Sequence, residues 1–302
     1  MTITFAVLVA AGIGLLLAGR DRGEINKSLF KIEDLQSVNK ITFTSPRGSF
    51  DLSYDGVRWK VGQYDADDQL VTVLFATLQQ VEPKRMVSAN QRDEIADLAE
   101  KQGTTLQLLN ETVLIRQLTV VGNDRKSETY FLDPKTEPYV MVIPGYRVYV
   151  GGVFEVGELG WREKRIFNFN WRNFKKLEAR YPGQPENGFA IEDNGSGFDI
   201  VGAVETDTTR LNDYLDAVSL LVAKEILPKD NASYDTLSER QPTASVLIYD
   251  VGDNVRTLDL FAPSREASEV VGRTGENEFV LFDRAQILPI VKTREYFKEK
   301  SR

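Results

Sequence analysis

Two places in this chain have residue types and spacings that could do chemistry: the acidic run Asp65-Ala66-Asp67-Asp68 and the carboxylate pair Glu155 and Glu158. The first resembles the opening of a calcium loop, the second an acid and a base for proton transfer. A calcium loop of this type needs Gly at its sixth position and Glu at its twelfth; neither is present counting from Asp65, and Thr72 to Leu74 already read as helix. The run therefore reads as a helix cap. Gly195-Ser196-Gly197-Phe198 encloses a serine between glycines, but it reads as a hairpin turn and not as the strand-to-helix elbow of a hydrolase. The chain has no His to complete a triad and no Cys. These compositions exclude disulfides, thiol nucleophiles, catalytic imidazole, haem ligation and nearly every zinc or copper site. No P-loop and no dinucleotide fingerprint is present. Exposed acidic pairs are common in an acidic chain, so the reading is a non-enzymatic protein with no catalytic, metal or cofactor-binding residue assigned.

The stretch Gly160 to Lys176 is the most aromatic and the most basic. Trp161, Phe167, Phe169, Trp171 and Phe174 interleave there with Arg162, Lys164, Arg165, Arg172, Lys175 and Lys176. Because Trp and Arg are enriched at interface hot spots, Trp161, Arg162, Arg165, Trp171 and Arg172 form a candidate partner-binding set. The competing reading is a connector whose aromatics are core and whose basic groups are solvated. The two differ in one outcome. Replacing Trp161 and Arg165 by Ala weakens partner capture on the first reading and lowers stability on the second.

The elements that would position these residues come in two sets. "NKITFTSPRGSFDLSYDGVRWKVGQYDADDQLVTVLFATLQQV" alternates apolar and polar residues, breaks at acids and turns to helical period; "KKLEARYPGQPENGFAIEDNGSGFDIVGAVETDTTRLNDYLDAVSLL" repeats the plan about 140 residues later. Phe50 answers to Phe189, Asp55-Gly56 to Asn194-Gly195, Trp59 to Phe198, and Leu70, Val73, Leu74 and Thr77 to Leu211, Tyr214, Leu215 and Val218. Asp-Gly and Asn-Gly supply tight hairpin turns, and the acids and hydroxyls that follow suit a starting helix. Asn90 to Lys101 reads as a second helix, with Ser233 to Glu239 as its shorter counterpart. The expectation is an α+β fold of tandem duplicated domains, each an antiparallel sheet backed by helices. Its bounds are residues 27–157 for the first repeat, 158–175 for the connector and 176–302 for the second repeat. The net charge of −8 and pI near 5.0 argue against nucleic acid as a partner.

Thr2 to Gly19 carries no charge, and at about 1.5 Å per residue it makes a helix of roughly 27 Å, close to the bilayer's hydrocarbon thickness. A cleaved signal would want a basic leader and small residues before the cut, which fit poorly here. Residues 1–22 are therefore read as a transmembrane anchor, with the membrane contacted through residues 2–19. Arg20, Arg22, Lys27 and Lys31 follow the span, which by charge alone favours a cytoplasmic body.

"LFKIEDLQSVNKITF", "GVRWKV" with its capped helix, and "EPYVMVIPGYRVYVGGVF" leading into "WREKRIFNFNWRNFKKLEARYPGQPENGFAI" resemble the bacterial envelope family called domain of unknown function 4340, in the form common in Bacteroidetes-type bacteria. Its most specific pieces here are Pro138-Tyr139-Val140, Ile143-Pro144-Gly145, and Trp161-Arg162 followed by Ile166-Phe167. The resemblance implies a single-pass protein of the inner (cytoplasmic) membrane with its body in the periplasm, and members similar to it are often encoded beside ABC-type transporters of the gliding-motility auxiliary kind. It supplies no catalytic residues. The function expected is a non-enzymatic, membrane-anchored subunit that binds protein partners in an envelope transport, secretion or motility complex. The alternative is an envelope module with a small-molecule or glycan site between the two repeats.

Overall fold

The computed structural model describes residues 25–298, apart from 33, 168, 170, 171, 196, 204 and 263–266. The expected anchor, residues 1–22, lies outside the described residues. Among those described, no helix is long and apolar enough to cross a membrane. The chain divides into two compact units between Arg162 and Glu163. Residues 158–162 of the expected connector thus belong to the first unit and 163–175 to the second.

The first unit contains β1 (Lys40–Ser45), β2 (Gly48–Tyr54), β3 (Trp59–Val61), β4 (Tyr64–Asp65), α1 (Asp68–Gln80), β5 (Glu82–Met86), α2 (Arg92–Gln102), β6 (Thr104–Asn110), β7 (Val113–Gly122), β8 (Thr129–Leu132), β9 (Tyr139–Val142) and α3 (Glu158–Trp161). Its strands form one nine-stranded antiparallel sheet in the order β4-β3-β2-β1-β6-β7-β8-β9-β5. The second unit contains β10 (Phe174–Arg180), β11 (Phe189–Asp193), β12 (Phe198–Ile200), α4 (Thr208–Ser219), β13 (Glu225–Ile226), α5 (Ala232–Leu237), β14 (Ala244–Asp250), β15 (Val255–Leu260), β16 (Glu269–Thr274), β17 (Phe279–Asp283) and α6 (Arg284–Ile287). Its eight-stranded antiparallel sheet runs β12-β11-β10-β14-β15-β16-β17-β13. Apart from β4, the two orders correspond strand by strand. Both units are antiparallel sheets backed by helices, an α+β architecture.

The local chemistry of the two hairpins is similar, an Asp before a positive-φ Gly accepting turn amides, though the Asp of the second stands one position earlier. Asp55 Oδ1 accepts the amides of Val57 and Arg58 at 2.8 and 2.9 Å, and Gly56 takes φ +97°; Asp193 Oδ1 accepts Gly195 N at 2.8 Å, with Gly195 at φ +82°. Only glycine holds such angles without strain. Leu52 then pairs with Val61, and Ile191 with Ile200. Alternation drives Ile41, Phe43, Leu52, Leu106, Leu108 and Leu118 into one core with α1.

The helix register differs from the expectation by one residue. Asp67 caps α1, accepting the amides of Gln69 and Leu70 at 3.0 Å, and Asp207 caps α4 through Arg210 N at 3.0 Å. Counted from these caps, Leu211, Tyr214, Leu215 and Val218 answer to Val71, Leu74, Phe75 and Leu78. Val71, Leu74, Thr77 and Leu78 are the buried residues of α1, whereas Val73, expected on that face, is 50% exposed.

Each unit closes on itself with an aromatic from its C-terminal end. The carbonyl of Trp161 accepts Asp67 N at 2.8 Å, and the carbonyl of Phe297 accepts Asp207 N at the same distance. Trp161 packs 5.3 Å from Phe43; Phe297 packs 4.8 Å from Phe189 and 5.3 Å from Tyr214. In both cases an amide at a helix start, which has no partner inside the helix, is satisfied by the unit's last core residue.

Candidate functional site

The segment expected to dock a partner is divided by the fold. Trp161 is 0% exposed, with Nε1 donating to the Val156 carbonyl at 3.2 Å. Arg162 is also buried, its guanidinium 3.3 Å from the centroid of the Tyr64 ring. Neither side chain is available to a partner, and the hot-spot reading of these two gives way to packing. Arg165 and Arg172 are exposed on the second unit. The main chain around Arg165 is tied down, Arg165 bridging to Val222, Ile166 N donating to the Leu221 carbonyl at 3.0 Å and Ala223 N to the Lys164 carbonyl at 2.8 Å. Phe167 and Phe174 are buried, and Trp171 lies outside the described residues. In the acidic run, Asp65 bonds Lys60 and, at 2.6 Å, Arg58, and hydrogen bonds first from Lys60 hold its carboxyl below the usual range.

One cleft in the first unit gathers groups with chemical potential. It starts from the β7–β8 hairpin, where Asn123 Oδ1 accepts the amides of Ser127 and Glu128 at 2.8 and 3.1 Å and Lys126 takes φ +52°. That backbone angle is uncommon for a side chain other than Asn, Asp or Gly. It carries Lys126 Nζ to 2.7 Å from both carboxylate oxygens of Glu155 and 5.6 Å from the centre of the Tyr149 ring. The Tyr149 hydroxyl donates to the same carboxylate. Burial, and after it the bond to Glu155, push that hydroxyl far above its ordinary pKa.

Two glycines make room for it. A Cβ on Gly122 would lie 1.6 Å from Tyr149 Oη, and one on Gly151 would lie 2.5 Å away. Arg47, from the β1–β2 turn, donates to the Glu155 carbonyl at 3.3 Å, and the last turn of α2 brings Lys101 and Gln102. The cleft among Arg47, Lys101, Gln102, Gly122, Lys126 and Glu155 has a volume of about 390 Å³. Three cations face one carboxylate that is already engaged by Lys126 and Tyr149. Of the two carboxylates considered as an acid/base pair, Glu155 is therefore tied up as a structural counter-ion.

The second unit has a cavity next to the strand end that corresponds to Gly122. Sheet register equates Leu118 with Leu258, so Gly122 falls on Ala262 and Thr104 on Ala244. Ala244, Leu260, Ala262, Val270, Ile287 and Leu288 line a cavity of about 200 Å³ there, with Arg284 as its one charged residue among those described. At the strand end marked by Gly122 in one unit and Ala262 in the other, the first cavity is lined mainly by charged and polar groups and the second mainly by hydrocarbon.

The sequence reading singled out neither Arg47, Lys101, Lys126 nor Tyr149. They come from separate turns and helix ends, and no spacing links them. The available signal was the Gly-Gly pair after Tyr149, inside the stretch that carries the family resemblance.

A family model described as Domain of unknown function (DUF4340) matches residues 57–240. The match spans Gly122, Lys126, Tyr149 and Glu155 and begins after Arg47. No curated protein and no solved structure matches the chain.

Proposed function

The chain belongs to the family described as domain of unknown function 4340, and from that membership we propose that it is a membrane-anchored, extracytoplasmic subunit of an envelope transport, secretion or motility complex, binding a protein partner without catalysis of its own. In this reading residues 2–19 hold it to the inner membrane. The two units descend from one duplicated domain, a history supported by their matching strand orders, caps and end plugs.

One observation carries the binding role. The loop after β9 holds Tyr146 at 64% and Val148 at 56% exposure. It is not loose: Gly145 turns the chain at φ +82°, Tyr146 N bonds the Ile143 carbonyl at 3.1 Å, Tyr149 is locked by Glu155, and Gly151 N bonds Thr129 Oγ1 at 2.8 Å. A fixed loop that keeps apolar side chains in water contributes nothing to its own core and is suited to fill a partner's pocket.

The test is mild-detergent purification of the full-length chain from its native membrane, with mass spectrometry of co-purifying proteins. The expected result is a stoichiometric envelope partner that is lost in Tyr146→Ser/Val148→Ser while the melting temperature stays unchanged. A chain that comes down alone, or a partner kept by that variant, removes the proposal.

A further inference from the structure

We propose that the Arg47–Lys101–Lys126 cleft of the first unit is a binding site for a phosphate group. This does not rest on the docking reading: the two share the Tyr149–Glu155 contact, but the groups that would meet a phosphate, Arg47 and Lys101, are not the exposed side chains of the Tyr146 loop. Glu155 would at first sight repel an anion, but its charge is balanced by Lys126, which bonds both oxygens, and the carboxylate also accepts the Tyr149 hydroxyl. What remains is a surplus of positive charge from Arg47 and Lys101, in a chain whose net charge is −8. Lys101 has no ion-pair or hydrogen-bond partner among the described residues. Arg47 spends one guanidinium nitrogen on a backbone carbonyl, and its other donors can fork onto an oxyanion.

The floor of the cleft is built. Gly122 has no room for a side chain, Tyr149 is pinned under Lys126, and Lys126 is held at a left-handed backbone angle that a glycine would adopt more readily. The volume of about 390 Å³ falls in the range of about 300–1,000 Å³ that small-molecule sites occupy, large enough for a phosphate with an organic substituent. A phosphate brings up to two negative charges against the two surplus cations and presents several oxygens to an Arg fork and a Lys point charge together, where a carboxylate brings one charge. Such a group comes either from a soluble phosphate ester or from a phospholipid headgroup.

The experiment follows the melting temperature of the full-length chain in neutral detergent. The soluble arm adds inorganic phosphate or glycerol phosphate against sodium chloride at matched ionic strength. The lipid arm adds phosphatidylglycerol to the micelles, against phosphatidylcholine. Saturable stabilisation by the soluble phosphates, at least tenfold weaker in Lys101→Ala and in Arg47→Ala, supports the site and names a soluble ligand. Stabilisation by phosphatidylglycerol alone, with the same loss in both variants, supports the site and names a headgroup. Equal shifts with chloride or phosphatidylcholine, shifts retained in both variants, or no shift in either arm overturn it. Lys101→Ala removes no described contact, so its folding serves as the control for Arg47→Ala.

Discussion

The side chain of Tyr149 is accommodated by what two other residues lack. With Gly122 and Gly151 around its hydroxyl, the ring reaches Glu155; with a methyl at 122 it cannot, since that carbon would sit 1.6 Å from the oxygen. Gly122→Ala is therefore expected to destabilise the chain by about 1–3 kcal/mol, the usual range for overpacking. Made in a Tyr149→Ala background, the same substitution is expected to be nearly neutral, and a denaturant double-mutant cycle measures the difference. Additive costs would mean that Tyr149 is not what fills the space. None of this was legible in the sequence, where a glycine at the end of a strand reads as a turn residue. Trp161 shows the converse: its aromatic and basic neighbourhood suggests an interface, but its place in α3, against Phe43, makes it core. Composition cannot tell a hot spot from a core plug, since both use large aromatic residues for the area they bury.

At the level of elements, the opening hairpins and the capped helices were legible, because turn residues and alternation are local signals. The short β5 and β13 were not, since two to five residues give alternation no length to register and their pairing is made by distant partners. Nor was the face of α1, where Leu70, Val73 and Leu74 fit helical spacing as well as Val71 and Leu74 do; the Asp67 cap decides between them. Val71→Ala is accordingly expected to cost about 2 kcal/mol from lost burial and the hole it leaves, whereas Val73→Ala stays within about 0.5 kcal/mol. Chemical denaturation of the two variants checks this, and reversed magnitudes would put the helix one residue out of register. Matched positions also trade volume between strands. Register sets Phe131 of β8 against Gly272 of β16, and Met141 of β9 against Phe282 of β17, whose ring fills the space a Cβ on Gly272 would need at 2.8 Å.

For the molecule as a whole, the division at Arg162/Glu163 has a direct test. Each unit contains its own sheet, its own capped helix and its own plug, so residues 27–162 and 163–302 are each expected to fold cooperatively when made separately, and residues 27–302 to be soluble. Circular dichroism and thermal melts of the pieces check it. A fragment 163–302 without a cooperative transition would show that its core is incomplete. The tandem plan was legible because two stretches repeat a pattern at a nearly constant offset. The exact boundary was not, since the aromatic and basic residues on either side of it look alike in sequence.

The end plugs give the fold an order in time. The amides of Asp67 and Asp207 are made early in each unit, but the carbonyls that satisfy them, on Trp161 and Phe297, leave the ribosome on the order of 5–20 s later at ordinary rates of synthesis. Until then the amides of Asp67 and Asp207 lack these partners and each core lacks its last aromatic. A chain cut short of Trp161 or Phe297 is thus expected to keep the side-chain cap of that helix but to lose both the carbonyl and the ring that close the unit.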